Sequence, residues 1–184
     1  GEAAHGMLAL SPHAVERLES YTPSWPLPKV FRLTKKGKIL NELFEGATIN
    51  TPSMLAVEDQ LSALDWSKKV GGLQALIERS KANLAAVTDW VAKTPWADFL
   101  TKKATNRSST SICLSVVDEW FTHNSEEAQK QIVKNIVMNL EHEGVAFDIG
   151  SYRDAPPGFR IWGGGTVEEN DIKALLPWLE WGYA

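Results

Sequence analysis

The apolar residues between positions 111 and 144 change period once, and that change restricts the fold more than anything else in the chain. Ile112, Leu114 and Val116 alternate with Ser111, Cys113 and Ser115. Alternation suits a strand with one face buried, because successive side chains leave opposite faces. Ile132, Val133, Ile136, Val137 and Leu140 then recur at 3.6-residue spacing, which puts them on one helix face. Asn124 or Ser125 is available as cap, Glu126 and Glu127 fall in the first turn, and Gly144 closes the run. A strand feeding a helix is the grammar of an α/β protein. Two further strands are expected near 146–149 and 159–162. A last helix carries Ile172, Leu175, Leu176 and Leu179 behind a Thr166-Val167-Glu168-Glu169 capping box. The order β-α-β-β-α predicts a small sheet with two helices on one face.

The preceding residues are less regular. Met7-Leu8-Ala9-Leu10 reads as a short strand, and Ser11-Pro12 as the start of a helix, with serine as cap and proline at the first helical position. Between 20 and 48, Pro23, Pro26 and Pro28 interrupt any long element. Lys29, Arg32, Lys35, Lys36 and Lys38 make this loop basic. From Pro52, with Thr51 as cap, a helix carries Val57, Leu61, Leu64 and Lys68 on one stripe and ends at Gly71-Gly72. A second helix through Leu73, Leu76, Ile77, Leu84, Val87 and Val91 stops before Pro95.

Composition excludes several functions. The formal net charge of −4 argues against a general nucleic-acid or anionic-membrane surface. No apolar run approaches the roughly 20 residues that cross a bilayer, and neither a span nor a signal peptide is expected. One cysteine, Cys113, allows no internal disulfide, which fits a reducing cytoplasm. It is read as a strand residue without a catalytic role. The four histidines are scattered, so no metal site is expected. Gly163-Gly164-Gly165 lacks the lysine and spacing of a P-loop and reads as a tight strand-to-helix turn. The eight tryptophans are expected to fill cores and interfaces.

Two constellations could bind an anion. Thr48-Ile49-Asn50-Thr51-Pro52-Ser53 places hydroxyl and amide groups at a helix start, where free N–H groups and the dipole favour negative charge. Simple capping is the competing explanation. In Tyr152-Arg153-Asp154-Ala155-Pro156-Pro157-Gly158-Phe159-Arg160, two arginines flank a rigid turn. The planar guanidinium fork suits a carboxylate or phosphate. Here the competing explanation is a local Arg153–Asp154 pair, with Arg160 an ordinary strand residue.

Extended to Phe44–Met54 (Phe44-Glu45-Gly46-Ala47 before and Met54 after) and to Tyr152–Trp162 (Ile161-Trp162 after), those two stretches resemble segments of the phosphoserine aminotransferase family. So do Glu2-Ala3-Ala4-His5-Gly6-Met7 and Asp89-Trp90-Val91-Ala92-Lys93-Thr94-Pro95-Trp96, and the four occur in the family's order. The resemblance covers nearly the whole chain and matches the family's C-terminal half. It implies the C-terminal part of a type I pyridoxal-phosphate transferase fold. Residues 1–95 would be the tail of the large cofactor-binding domain, and 96–184 the small α/β domain. It also implies a cytoplasmic homodimer of serine biosynthesis, which exchanges an amino group between phosphoserine and 2-oxoglutarate to give 3-phosphohydroxypyruvate and glutamate. Carried over by position, Asn50 and Thr51 match the pair that meets the pyridoxal 5′-phosphate of the other subunit. Arg160 matches the substrate-carboxylate arginine, and Arg153 lies in the segment that meets the substrate's phosphate or distal carboxylate. The Schiff-base lysine is expected upstream of Gly1, so no catalytic residue is assigned here and the chain alone is expected to be inactive. A non-catalytic dimerisation module, or a small anion-binding domain, is the alternative function.

Overall fold

The computed structural model describes residues 6–184; Glu2, Ala3, Ala4 and His5 of the first family-like segment lie outside the described residues. The chain divides after Trp66 into two compact units.

In the first unit, helix α1 (Pro12–Ser20) starts as expected: the Ser11 side chain accepts from Ala14 N–H at 3.1 Å, with Pro12 in the first turn. The expected strand at 7–10 does not form, and Met7 and Leu8 are exposed. A strand needs a neighbour to take its backbone groups, and none of the described residues pairs with this segment. The basic loop folds into a 3₁₀ turn (Lys29–Phe31) and a hairpin of β1 (Thr34–Lys35) and β2 (Lys38–Ile39). Lys36 (φ 51°) and Gly37 (φ 73°) form its two-residue turn, and both positive φ angles match the twist of the strands. Glu19 of α1 accepts from Ile39 N–H and from Lys38 Nζ, each at 3.1 Å. First the backbone bond, then the lysine, holds its carboxyl below the usual carboxylate range.

Helix α2 (Met54–Lys69) begins two residues after Pro52, and its cap is Ser53, whose hydroxyl accepts from Ala56 N–H at 3.4 Å. Thr51 therefore lies outside the helix and does not cap it. Leu61 and Leu64 of the expected stripe are exposed, and Ala56 is the buried residue of this helix.

The second unit carries the core. Gly71 (φ 112°) turns the chain into α3 (Gly72–Val91), which buries Ala86, Val87 and Trp90. Then follow β3 (Ala97–Phe99), β4 (Ser111–Val116), the short α4 (Glu119–Thr122), α5 (Glu126–His142), β5 (Gly158–Trp162) and α6 (Glu169–Tyr183). The strands form an antiparallel sheet in the order β3-β4-β5. Phe99, Ile112, Leu114, Val116, Phe159 and Ile161 are buried in a core shared with α3, α5 and α6. The alternate positions Asp98, Cys113, Arg160 and Trp162 therefore leave from the other face. Cys113 sits half-buried within β4, as read from the pattern.

The closing α/β lobe stands, with three differences in detail. Segment 146–149 does not become a strand: Asp148 takes φ 54°, which breaks extended backbone, and a single bridge joins Gly150 to Phe159. The third strand is β3, three residues long and too short to show alternation in the sequence. The helices on the core side are three rather than two, since α3 packs against β3 and α6.

Ser125 caps α5, accepting from Ala128 N–H at 3.3 Å, and Gly144 (φ 69°) ends it, both as expected. The capping box before α6 does not close. Thr166 instead accepts from Trp162 Nε1 at 3.4 Å, and Glu168 pairs with Arg79. Of the tryptophans, Trp90 is buried and Trp96 packs against the core, while Trp25, Trp66, Trp120, Trp162, Trp178 and Trp181 are exposed in this chain. No described helix is long and apolar enough to cross a membrane.

Candidate functional site

Arg160 is brought into position by the register of β5 on β4, in which it stands opposite Cys113 while Phe159 lies opposite Leu114. Gly158 permits that register. A Cβ there would lie 2.2 Å from the Leu114 carbonyl oxygen, so only glycine lets the strands approach this closely. At the other end of β5 the three-glycine turn is tied to α3. Asn83, fully buried, donates from Nδ2 to the carbonyls of Gly163 (3.0 Å), Val167 (3.1 Å) and Gly164 (3.4 Å). Arg79 donates from Nε to the Gly165 carbonyl at 2.7 Å. The strand that carries Arg160 is thus anchored at both ends.

The Arg160 side chain is only 16% exposed. Its guanidinium carbon lies 4.4 Å from the centre of the Tyr152 ring, an arrangement in which the aromatic face attracts the cation. Nη2 donates to Asp148 Oδ2 at 2.9 Å and to the Asp148 carbonyl at 3.2 Å. Nε is buried and donates to nothing among the described residues. The strand arginine of the sequence is therefore a clamped cation whose Nε is a buried, unused donor. Arg153 stands apart, exposed and without an ion pair among the described residues, so the competing Arg153–Asp154 pair does not form.

Asn50 and Thr51 belong to the first unit, where both are exposed just before α2. The Thr48 hydroxyl donates to the Asn50 carbonyl at 2.7 Å, and Lys29 Nζ donates to the Ile49 carbonyl at 3.3 Å. This folds the segment back and brings a lysine beside it. The Thr51 hydroxyl and the Asn50 amide have no partner among the described residues. With the unpaired first-turn N–H groups of α2 they form a donor set suited to an oxyanion.

Near the sheet edge an open depression of about 220 Å³ is lined by Phe99, Thr101, Asn106, Arg107, Ser108, Ser111, Ile112 and Cys113. Arg107 does not reach into it as a free cation. It stacks 3.9 Å from the centre of the Phe99 ring and donates to the carbonyls of Thr101 (3.1 Å) and Lys102 (3.3 Å). No group of three or more potential metal ligands occurs among the described residues.

Sequence reasoning missed Asp148, Tyr152 as a ring beneath Arg160, and Asn83. Asp148 carries no pattern, since it lies in an irregular loop. Asn83 had a faint signal, an amide on the otherwise apolar face that includes Leu76, Leu84 and Val87.

No family model matches the chain. The curated phosphoserine aminotransferase of Methanosarcina mazei is 57% identical over 183 residues, which is all of this chain and 47% of that protein. That of Methanosarcina barkeri is 56% identical over the same extent. The chain thus spans about half the length of the curated relatives it matches. Among solved structures, phosphoserine aminotransferase from Bacillus circulans subsp. alkalophilus superposes with a TM-score of 0.60 at 18% identity, covering 73% of this chain and 34% of that one. A second, from work on radiation damage of the Schiff base in phosphoserine aminotransferase, gives a TM-score of 0.67 at 14% identity, covering 91% and 41%. These structures share the fold with this mixed helix-and-sheet chain.

Proposed function

We propose, from the premise that the chain corresponds along its whole length to about half of a phosphoserine aminotransferase, that it supplies substrate and cofactor contacts to such an enzyme. In this reading, residues 1–95 are the tail of the large cofactor-binding domain and 96–184 the small domain. The complete enzyme is a cytoplasmic homodimer that moves an amino group between phosphoserine and 2-oxoglutarate. Pyridoxal 5′-phosphate, when bound, supplies the electron sink for that transfer.

The residues present fit the ends of such a complex. Asn50 and Thr51 offer an amide and a hydroxyl at a helix start, which suits the cofactor phosphate. In this reading the lysine that attaches the cofactor is supplied by the complete enzyme rather than by the residues assigned here. Arg160 orients the substrate by its α-carboxylate, and the Tyr152 ring keeps the guanidinium plane fixed while it does so. Arg153, exposed on the loop before β5, meets the substrate's phosphate or distal carboxylate.

The observation that carries the proposal is the state of Arg160: largely buried, stacked on a ring, and already holding a carboxylate. In a full-length protein containing this chain, Arg160→Ala should cost about 2–5 kcal/mol in kcat/KM, the usual result of stripping one partner from a buried charge pair. Arg160→Lys should recover only part, because the two-pronged grip is lost. An alanine variant with unchanged kcat/KM would refute the assignment. The chain alone, given pyridoxal 5′-phosphate, phosphoserine and 2-oxoglutarate, should form glutamate no faster than free cofactor does.

A further inference from the structure

Both bonds from Arg160 to Asp148 leave one nitrogen, Nη2, while the neighbouring Nε is buried without a partner. Nε and Nη2 make up one edge of the guanidinium, the edge that takes a carboxylate in two parallel hydrogen bonds. Asp148 therefore fills half of a two-pronged site. Its own side chain is 89% exposed, so little packing holds it there. Its backbone sits at φ 54°, where aspartate is tolerated as a single residue, and this conformation places the carboxylate beside the strand.

We infer that Asp148 is a displaceable internal carboxylate, seated on Arg160 until the carboxylate of an amino or oxo acid takes its place. The inference rests on the reading of Arg160 as the substrate-carboxylate residue. An incoming carboxylate gains the unused Nε donor, which Asp148 leaves unbonded, and this favours the exchange. While seated, Asp148 spares a largely buried cation from being unpaired. It also raises the concentration of acid needed to load the site, because every binding event must first release it. Asp148 thus sets the threshold at which the arginine accepts a ligand, and a carboxylate able to use both donors displaces it better than one that reaches only Nη2.

The chain itself serves for the test, with the Arg160 Nε–H resonance followed by NMR during titration with 2-oxoglutarate. Wild type should respond weakly. Asp148→Asn removes the charge and keeps a residue that accepts the positive φ, and it should respond at about fivefold lower concentration, the scale of an exposed ion pair. Asp148→Gly, which also accepts that φ, should behave the same way and guards against an effect of the new amide. Arg160→Ala, followed through the Trp162 indole N–H, should show no response. Equal or weaker binding by both Asp148 variants would overturn the inference and leave the role of Arg160 standing. A titration unaffected by Arg160→Ala, or a Nε–H signal that moves in none of the chains, would overturn the inference together with the reading beneath it.

Discussion

Asn83 is the residue whose removal should be felt furthest from its own position. It is fully buried on α3, and its Nδ2 serves the turn between β5 and α6 through two good bonds and one long one. Asn83→Ala leaves the Gly163 and Val167 carbonyls without that donor. An abandoned buried group costs about 1–3 kcal/mol, so the two together cost roughly 2–6 kcal/mol. One offset exists: Oδ1 of Asn83 has no partner even in the native fold, and removing it returns about 1 kcal/mol. The net loss should be about 1–5 kcal/mol, measured by urea unfolding followed by far-UV circular dichroism with an unchanged m value. Asn83→Asp is the sharper variant, since it keeps the shape and turns a carboxyl oxygen towards three carbonyls. Burial among acceptors raises that carboxyl's pKa in the folded state, so the variant's stability is greatest at low pH and declines as pH rises through the raised value. An alanine variant within about 0.5 kcal/mol of wild type, or an aspartate variant with no such decline, would refute this account of the turn.

Three other outcomes follow from the same geometry. In a full-length protein containing this chain, Thr51→Val should weaken retention of pyridoxal 5′-phosphate by about 1.5–3 kcal/mol, the scale of one hydrogen bond to a charged group; equal retention with unaltered dimer content would reduce the segment to a helix start. Gly158→Ala should destabilise the second unit by about 1–3 kcal/mol, because its Cβ meets backbone rather than a movable side chain, and unfolding at wild-type urea concentration would contradict that. Tyr183, whose hydroxyl donates to Asp118 Oδ2 at 2.6 Å, has its pKa pushed up to about 12, first by burial and then by that bond. Its ionisation should be delayed, with its share of stability intact below about pH 10 and lost towards pH 12. Phenolate absorbance checks this, and Tyr183→Phe should remove the step near pH 12.

Much of the second unit was legible because its elements are long and periodic. The α5 face, the β4 alternation and the Ser125 and Gly144 boundaries could all be read from residue order. What escaped was decided by partners distant in sequence. β3 is three residues long and becomes a strand only because β4 lies alongside it. Thr51 lost its expected cap role to Ser53 because the helix starts two residues later than the Thr-Pro pair suggested. The candidate site was half legible. Arginine type and loop rigidity marked Arg160, yet its neutralising partner lies twelve residues back in a loop with no periodic signal. The tryptophan count could not say which of them enter the core: Trp90 and Trp96 do, whereas most of the others are exposed in this chain.

One of those tryptophans turns the sheet face into something that can be watched. Trp162 stands two residues beyond Arg160, on the same face of β5, with its indole 54% exposed and lightly held through Nε1 by Thr166. An indole in water emits further to the red than one that is covered. Emission from this position is therefore a gauge of whether the face carrying the arginine is wet or dry. The difference spectrum between wild type and Trp162→Phe isolates that emission from the remaining indoles, and its colour follows covering of the face without any added label.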